Sequence, residues 1–163
     1  GYIIDNMQVF AYTQTKQANL WGADFKIHYH PHFAHRFHIE NSVSYVQAED
    51  NFGNPFPLIP QARTNTLLRY EFESTRKIRF ENITLQHLYF FNQNKVAAFE
   101  TPTTGYQLLN LGTTLKIDIK NPIEIKTGVK NILNTSYIDH LSRLKTLGIS
   151  GPGINAYIAL SVK

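Results

Sequence analysis

Apolar and polar residues alternate with a period of two over most of this chain, the spacing of a strand with one apolar and one polar face. In residues 22–29 (GADFKIHY), Ala23, Phe25, Ile27 and Tyr29 alternate with Gly22, Asp24, Lys26 and His28. The same period returns as Phe37, Ile39, Val43 and Tyr45 against His38, Glu40, Ser42 and Ser44, and as Leu68, Tyr70 and Phe72 against Leu67, Arg69 and Glu71. Further along, Leu109, Leu111, Thr113, Leu115 and Ile117 oppose Asn110, Gly112, Thr114, Lys116 and Asp118. Ile123, Ile125, Thr127 and Val129 oppose Glu124, Lys126, Gly128 and Lys130, and Ile154, Ala156, Ile158, Leu160 and Val162 oppose Asn155, Tyr157, Ala159, Ser161 and Lys163. With a less regular strand over 78–91 and a first one near 8–15, the pattern predicts about eight strands and no helix.

The connectors alternate in length. PHFAHR, ESTRK and KNP are short, whereas AEDNFGNPFPLIP, NQNKVAAFETPTTG and NTSYIDHLSRLKTLGISGPG are long; only the brief TQTKQ after the first strand breaks the order. Several strands exceed the five or six residues usual in soluble sheets. Short turns at one end and long loops at the other are the layout of an outer-membrane barrel. A strand of about 9 to 11 residues suffices to cross a bilayer, and hydrocarbon demands that each backbone group be paired. The expected fold is therefore all-β, an antiparallel up-and-down transmembrane β-barrel segment. A soluble sandwich or lipocalin-like barrel, its apolar face turned to a core, shares the alternation and stays open on pattern alone.

Composition narrows the chemistry. The 163 residues contain no cysteine, which excludes disulfides, thiolate metal sites and cysteine nucleophiles. The net charge is +4, but Lys and Arg are scattered along the chain, so no nucleic-acid partner is expected. No apolar run reaches the ~18 residues of a membrane helix. The opening GYIIDNMQVF has no signal-peptide pattern, and the chain is expected to be a piece of something longer.

Residues 127–163, TGVKNILNTSYIDHLSRLKTLGISGPGINAYIALSVK, resemble the C-terminal end of TonB-dependent outer-membrane receptors. The family's penultimate strand commonly ends in a pattern like V-x-N-L-F-N-x-x-Y, matched by Val129, Asn131, Ile132, Leu133, Asn134 and Tyr137. Pro152 and Gly153 match the entry to the final strand, with Ile154 in place of the usual arginine. DHLSRLK (139–145) is similar to loop sequences of Bacteroidetes-type members. Gly22, Ala23 and Asp24 resemble a recurrent G-x-E strand signal, and residues 54–64 (NPFPLIPQART) resemble a loop-to-strand passage.

The resemblance implies the C-terminal part of a 22-stranded barrel in the Gram-negative outer membrane. Plug and earlier strands are expected outside the chain, as is a terminal aromatic after Lys163. It implies active import of a small-molecule nutrient or metal chelate: an iron-siderophore, cobalamin, a glycan or a metal complex. The implied partners are outer-membrane lipid, the TonB system through N-terminal parts, and the barrel-assembly machinery through the last strand. No cofactor is implied. The alternative is a complete eight-stranded barrel acting as a structural or binding module, in which the strand near Val9 pairs with that near Ile158.

No catalytic constellation is expected: Asp139, His140 and Ser142 crowd one loop, and crowding does not make a triad. For ligand contact, His140, Arg143 and Lys145 offer cations to a carboxylate or metal-chelate anion from an external loop. HYHPHFAHRFH (28–38) holds five of the seven histidines, a metal-ligand composition. A turn centred on Ala34 pairs His28 with Glu40 and His30 with His38 on the polar face, leaving His32 and His35 in the turn. These four, His28, His30, His38 and Glu40, are the candidate metal ligands. Their place at a short-turn end favours instead a polar lumen wall.

Overall fold

The computed structural model describes residues 2–4, 7–9 and 17–162. β1 (Tyr2–Ile4) and β2 (Met7–Val9) form a small antiparallel pair. Seven longer strands follow: β3 (Ala18–Tyr29), β4 (Phe37–Asp50), β5 (Arg63–Glu71), β6 (Ile78–Phe90), β7 (Tyr106–Ile117), β8 (Ile123–Lys130) and β9 (Asn155–Val162). They make one antiparallel sheet in sequence order. The strand predicted near 8–15 coincides with β2 at Gln8 and Val9, and its remainder lies outside the described residues. Val9 pairs with Tyr2, Ile158 with Thr127, and β3 and β9 each have one neighbour among the described residues.

Register carries the two faces across the whole sheet. One continuous rung runs Tyr29, Ile39, Leu68, Leu85, Leu111, Val129 and Ala156, all opposed in pairs. A one-residue slip in any strand would turn its apolar set to the other side. The irregular β6 obeys the same rule through a bulge between Phe80 and Asn82. Glu81 is the extra residue, so Ile78 and Phe80 below it and Ile83 and Leu85 above it share the apolar face.

The short connectors close all at one end. In the 31–36 turn, Ala34 N–H donates to the Pro31 carbonyl at 3.0 Å and Phe37 N–H to the Ala34 carbonyl at 2.8 Å. The long loops are built from local side-chain chemistry. Asp50 Oδ1 accepts from the Phe52 and Asn54 amides at 2.8 and 2.9 Å, and Oδ2 accepts from the Asn54 side chain at 2.9 Å. That arrangement is an Asx-type turn, completed by Gly53 at φ +80°.

Among the described residues no second layer packs against the apolar face. The buried apolar residues among those described are Ala48, Ala97 and Tyr106, whereas Phe25 is 59 % and Leu160 66 % exposed. A water-soluble domain of this length buries a core of large side chains, and an apolar surface of this extent is covered by something other than water. The soluble-sandwich reading therefore lacks its second layer.

Aromatics bracket the bare face. Trp21, Tyr45, Tyr89 and Phe91 stand toward the long-loop end, and Tyr29, Tyr70, Phe72 and Phe80 toward the short-turn end. They pack in pairs: Trp21 on Tyr45 at 5.2 Å, Tyr70 on Phe72 at 5.1 Å and Tyr89 on Phe91 at 4.9 Å between centroids. From Tyr45 to Phe37 is roughly 27 Å along β4, or about 20 Å of thickness at a ~40° tilt, close to the band of a spanning barrel.

Candidate functional site

The polar face carries charges and amides in separate groups. Toward the short turns it is a lattice of charges. Lys26 meets Glu40 at 3.2 Å, Arg69 reaches Glu40 at 3.9 Å and Glu71 at 3.5 Å, Lys116 lies between Glu81 and Asp118, and Arg79 pairs with Asp118. Along the rung of Glu40, in β6 and β7, the face carries amides in place of charges. Gln86 donates to Asn65 at 3.0 Å, Asn110 donates to Gln86 at 3.0 Å, and the Asn131 backbone N–H donates to Asn110 Oδ1 at 2.9 Å. This ladder crosses from β5 to the end of β8 and arrives at the last long loop.

The loop after β8 is fixed by the motif that singled it out in the sequence. Asn131 and Asn134 both take φ +51°, the left-handed region that asparagine tolerates better than most residues. The Asn131 amide donates to the carbonyls of Thr135 and Pro152 at 2.9 and 3.1 Å while its Oδ1 accepts from the Thr135 N–H at 2.9 Å. One buried side chain thus ties both ends of the loop. Asn131→Ala removes these bonds and leaves an alanine at positive φ, an expected cost of about 3 kcal/mol. Limited proteolysis of the 131–154 loop checks this: cleavage should speed up there and nowhere in the strands.

Tyr137 lies flat on Tyr106, with centroids 4.6 Å apart, and Tyr106 lies flat on Phe90 at 4.5 Å. The Tyr106 hydroxyl donates to Asp139 at 3.1 Å. The glycine at 151 is required here, because a Cβ would stand 2.5 Å from the Tyr137 ring. Beside this stack the loops 91–105 and 131–154 enclose a cavity of about 350 Å³ bordered by Thr103, Thr104, Ser136, Tyr137, Lys145 and Ser150.

Of the predicted ligand-contact residues, the structure brings His140 and Lys145 together and leaves Arg143 exposed. His140 is buried; its Nδ1 lies 2.7 Å from the Thr103 hydroxyl oxygen and 3.1 Å from Lys145 Nζ, while its Nε2 has no hydrogen-bond partner among the described residues. Lys145 also donates to the Thr101 carbonyl. Burial, and then the lysine's charge, hold the His140 pKa below that of a free imidazole; burial likewise lowers that of Lys145. Asp139, His140 and Ser142 form no relay: Asp139 serves Tyr106 and the Leu141 amide, and His140 serves Thr103 and Lys145.

At the opposite end, the histidine hairpin has the predicted register, with His28 opposite Glu40. His30 stacks on His38 at 4.4 Å, and His28 Nε2 lies 3.4 Å from His38 Nδ1. His30 Nε2–H donates to the His35 carbonyl at 2.5 Å, and His38 Nε2 faces the Glu71 carboxylate at 3.5 Å without a hydrogen bond. Glu40 is held by Lys26. Among the described residues no three such side chains converge on a point that would hold a metal ion.

The fold has a counterpart. It is similar to that of the copper transporter OprC, with a TM-score of 0.73 and 16% identity over 88% of this chain and 23% of OprC. The chain spans about a quarter of that protein. No known family profile matches the sequence. The likeness shows the fold expected from the resemblance to TonB-dependent receptors: a wall segment of an outer-membrane β-barrel. In such a wall the bare face meets lipid, the polar face lines the lumen, the short turns are periplasmic and the long loops external.

Tyr45, Tyr70 and Tyr89 stand on the apolar face of this sheet, Phe90 and Tyr157 on its polar face. Sequence reasoning did not find Tyr106, Thr103, Ser136 and Ser150 around the cavity, nor the amide ladder. The only signal was the inward phase of Gln86 and Asn110, where neither a charge nor an apolar residue stands.

Proposed function

We propose that the chain is the C-terminal part of the barrel of a TonB-dependent import receptor, capturing a scarce solute at its external loops and passing it along the polar face. The observation that carries this reading is the pairing of a lipid-ready apolar face with an amide-lined inner face that ends in a cavity built by two long loops. OprC is a copper transporter by name, and copper accordingly joins iron chelates, cobalamin and glycans as cargo to test.

The test is growth of cells carrying or lacking the full-length gene, with each of these nutrients limiting, in backgrounds with and without a working TonB system. One nutrient should separate the strains, and loss of TonB should erase the difference. Growth that depends on the gene but not on TonB would overturn the energised-import reading.

A further inference from the structure

The external cavity has a chemical bias that the import reading alone does not supply. Its border carries hydroxyls from Thr103, Thr104, Tyr137, Ser136 and Ser150, and one charged side chain, Lys145. Three of these hydroxyls are engaged: Thr103 with His140 at 2.7 Å, and Ser136 and Ser150 with each other at 3.1 Å, a contact that uses the proton of only one of the two serines. Tyr137 presents its edge and hydroxyl rather than a face, because its ring is sandwiched between Tyr106 and Gly151.

Lys145 is a cation held by neutral acceptors. An ammonium has three N–H groups; one goes to the Thr101 carbonyl and one to His140 Nδ1. Among the described residues it forms no ion pair. The nearby carboxylates are already engaged: Glu100 accepts from the Leu58 amide at 2.8 Å and the Ala97 amide at 3.2 Å, and Asp139 from Tyr106 and Leu141. No carboxylate therefore reaches Lys145 within ion-pair distance among the described residues, and the charge of Glu100 acts on it only from further away. A cation on a cavity border that also carries hydroxyls is the arrangement that binds an oxyanion through charge-assisted hydrogen bonds.

We propose that this cavity binds the oxyanion of a small solute, a carboxylate or phosphate group, with Lys145 as its counter-ion and the Ser and Thr hydroxyls as further donors. This deepens the import reading and rests on it for its physiological meaning. The volume, near the lower bound of small-molecule sites, suits one ring or one chelating arm rather than an entire large chelate.

The experiment uses the full-length gene product in detergent and three probes: glucuronate, glucose and inorganic phosphate. The first two differ by a single carboxylate in place of a hydroxymethyl, so their ratio reads the charge. Saturation-transfer NMR should show glucuronate bound at least tenfold more tightly than glucose. Lys145→Met should abolish that preference and Lys145→Arg should keep most of it, with heat-modifiability on gels confirming that both variants are folded. Phosphate binding without glucuronate binding, lost in Lys145→Met, would uphold the site and assign the anion to phosphate. Equal binding of glucuronate and glucose without phosphate binding, or an anion preference that survives Lys145→Met in a folded barrel, would overturn it. Transport plays no part in this readout, so a failed oxyanion preference leaves TonB-dependent import standing, and the converse.

Discussion

Replacing Gly128 by valine should prevent the barrel from assembling. Gly128 faces the lumen, opposite Gly112 on β7 and Tyr157 on β9. A Cβ at 128 would stand 2.3 Å from the Leu111 carbonyl oxygen, 2.9 Å from the Gly112 Cα and 2.9 Å from the Tyr157 hydroxyl. The first two obstacles are backbone, fixed by the ladder between β7 and β8, and the third is the far end of a side chain. Relief requires β7 and β8 to part, breaking pairing that a membrane cannot replace with water. The expected cost is about 3 kcal/mol or more, read as loss of the heat-modifiable band of the full-length protein in the outer-membrane fraction. The distances also rank the causes. Gly128→Ala should already impair assembly, and adding Tyr157→Ala should not rescue it, because the carbonyl is nearer than the hydroxyl. Rescue by the double variant would mean that the tyrosine, and not the strand spacing, demands the glycine.

The contrast between this glycine and the loops explains what could be read from the sequence. Strand phase is a local property with a period of two, so Ile39, Leu68, Leu111 and Val129 announce their shared face without knowledge of their neighbours. Even the hairpin register follows from a count: residue numbers of paired positions in β3 and β4 sum to a constant once Ala34 is the centre of the turn, and His28 falls opposite Glu40. β6 was harder because one bulged residue, Glu81, inverts the parity halfway along.

The cavity was largely illegible. Tyr106 and Tyr137 are 31 positions apart, and Thr103 and His140 are 37 apart. Their meeting depends on two irregular loops closing over the same rung, which no period encodes. Of His140, Arg143 and Lys145, chosen for charge, two converge and one stays in water. The motif around Asn131 was visible as a resemblance, but its physical basis, two asparagines at positive φ and one side chain bridging the loop's ends, needed coordinates. For the histidines, composition offered metal and position a polar wall; the register of the hairpin was countable, whereas the stacking of His30 on His38 and the bond from His30 to the His35 carbonyl needed coordinates.

The link between His140 and Lys145 should make the external loops sensitive to acid. His140 Nδ1 stands within hydrogen-bond reach of Thr103 on the loop 91–105 and of Lys145 within its own loop, and it can accept from the lysine only while the ring is neutral. A protonated imidazole has no acceptor nitrogen. Protonation would therefore abolish the bond to Lys145, whose ammonium cannot accept, and set two cations about 3 Å apart. At an effective dielectric of about 20 that repulsion is about 5 kcal/mol before the lysine swings away. The groups facing His140 are Thr103, Lys145 and, at longer range, Glu100 and Asp139, whose charges oppose the lysine's effect but do not outweigh it and burial. The folded pKa thus lies below the unfolded value, and between the two the unfolded loop binds more protons, so stability rises with pH there. The contribution is complete above about 6.5 and is lost as pH falls from that value toward the lower folded one. Proteolysis of the loops at Arg143 and Lys145, compared at pH 7.5 and 5.5, should accelerate on acidification relative to His140→Asn. Asparagine keeps a neutral acceptor near the Nδ1 position at both pH values, so the ratio of the two cleavage rates cancels the protease's own pH dependence. An unchanged ratio would place the acid response, if there is one, outside His140.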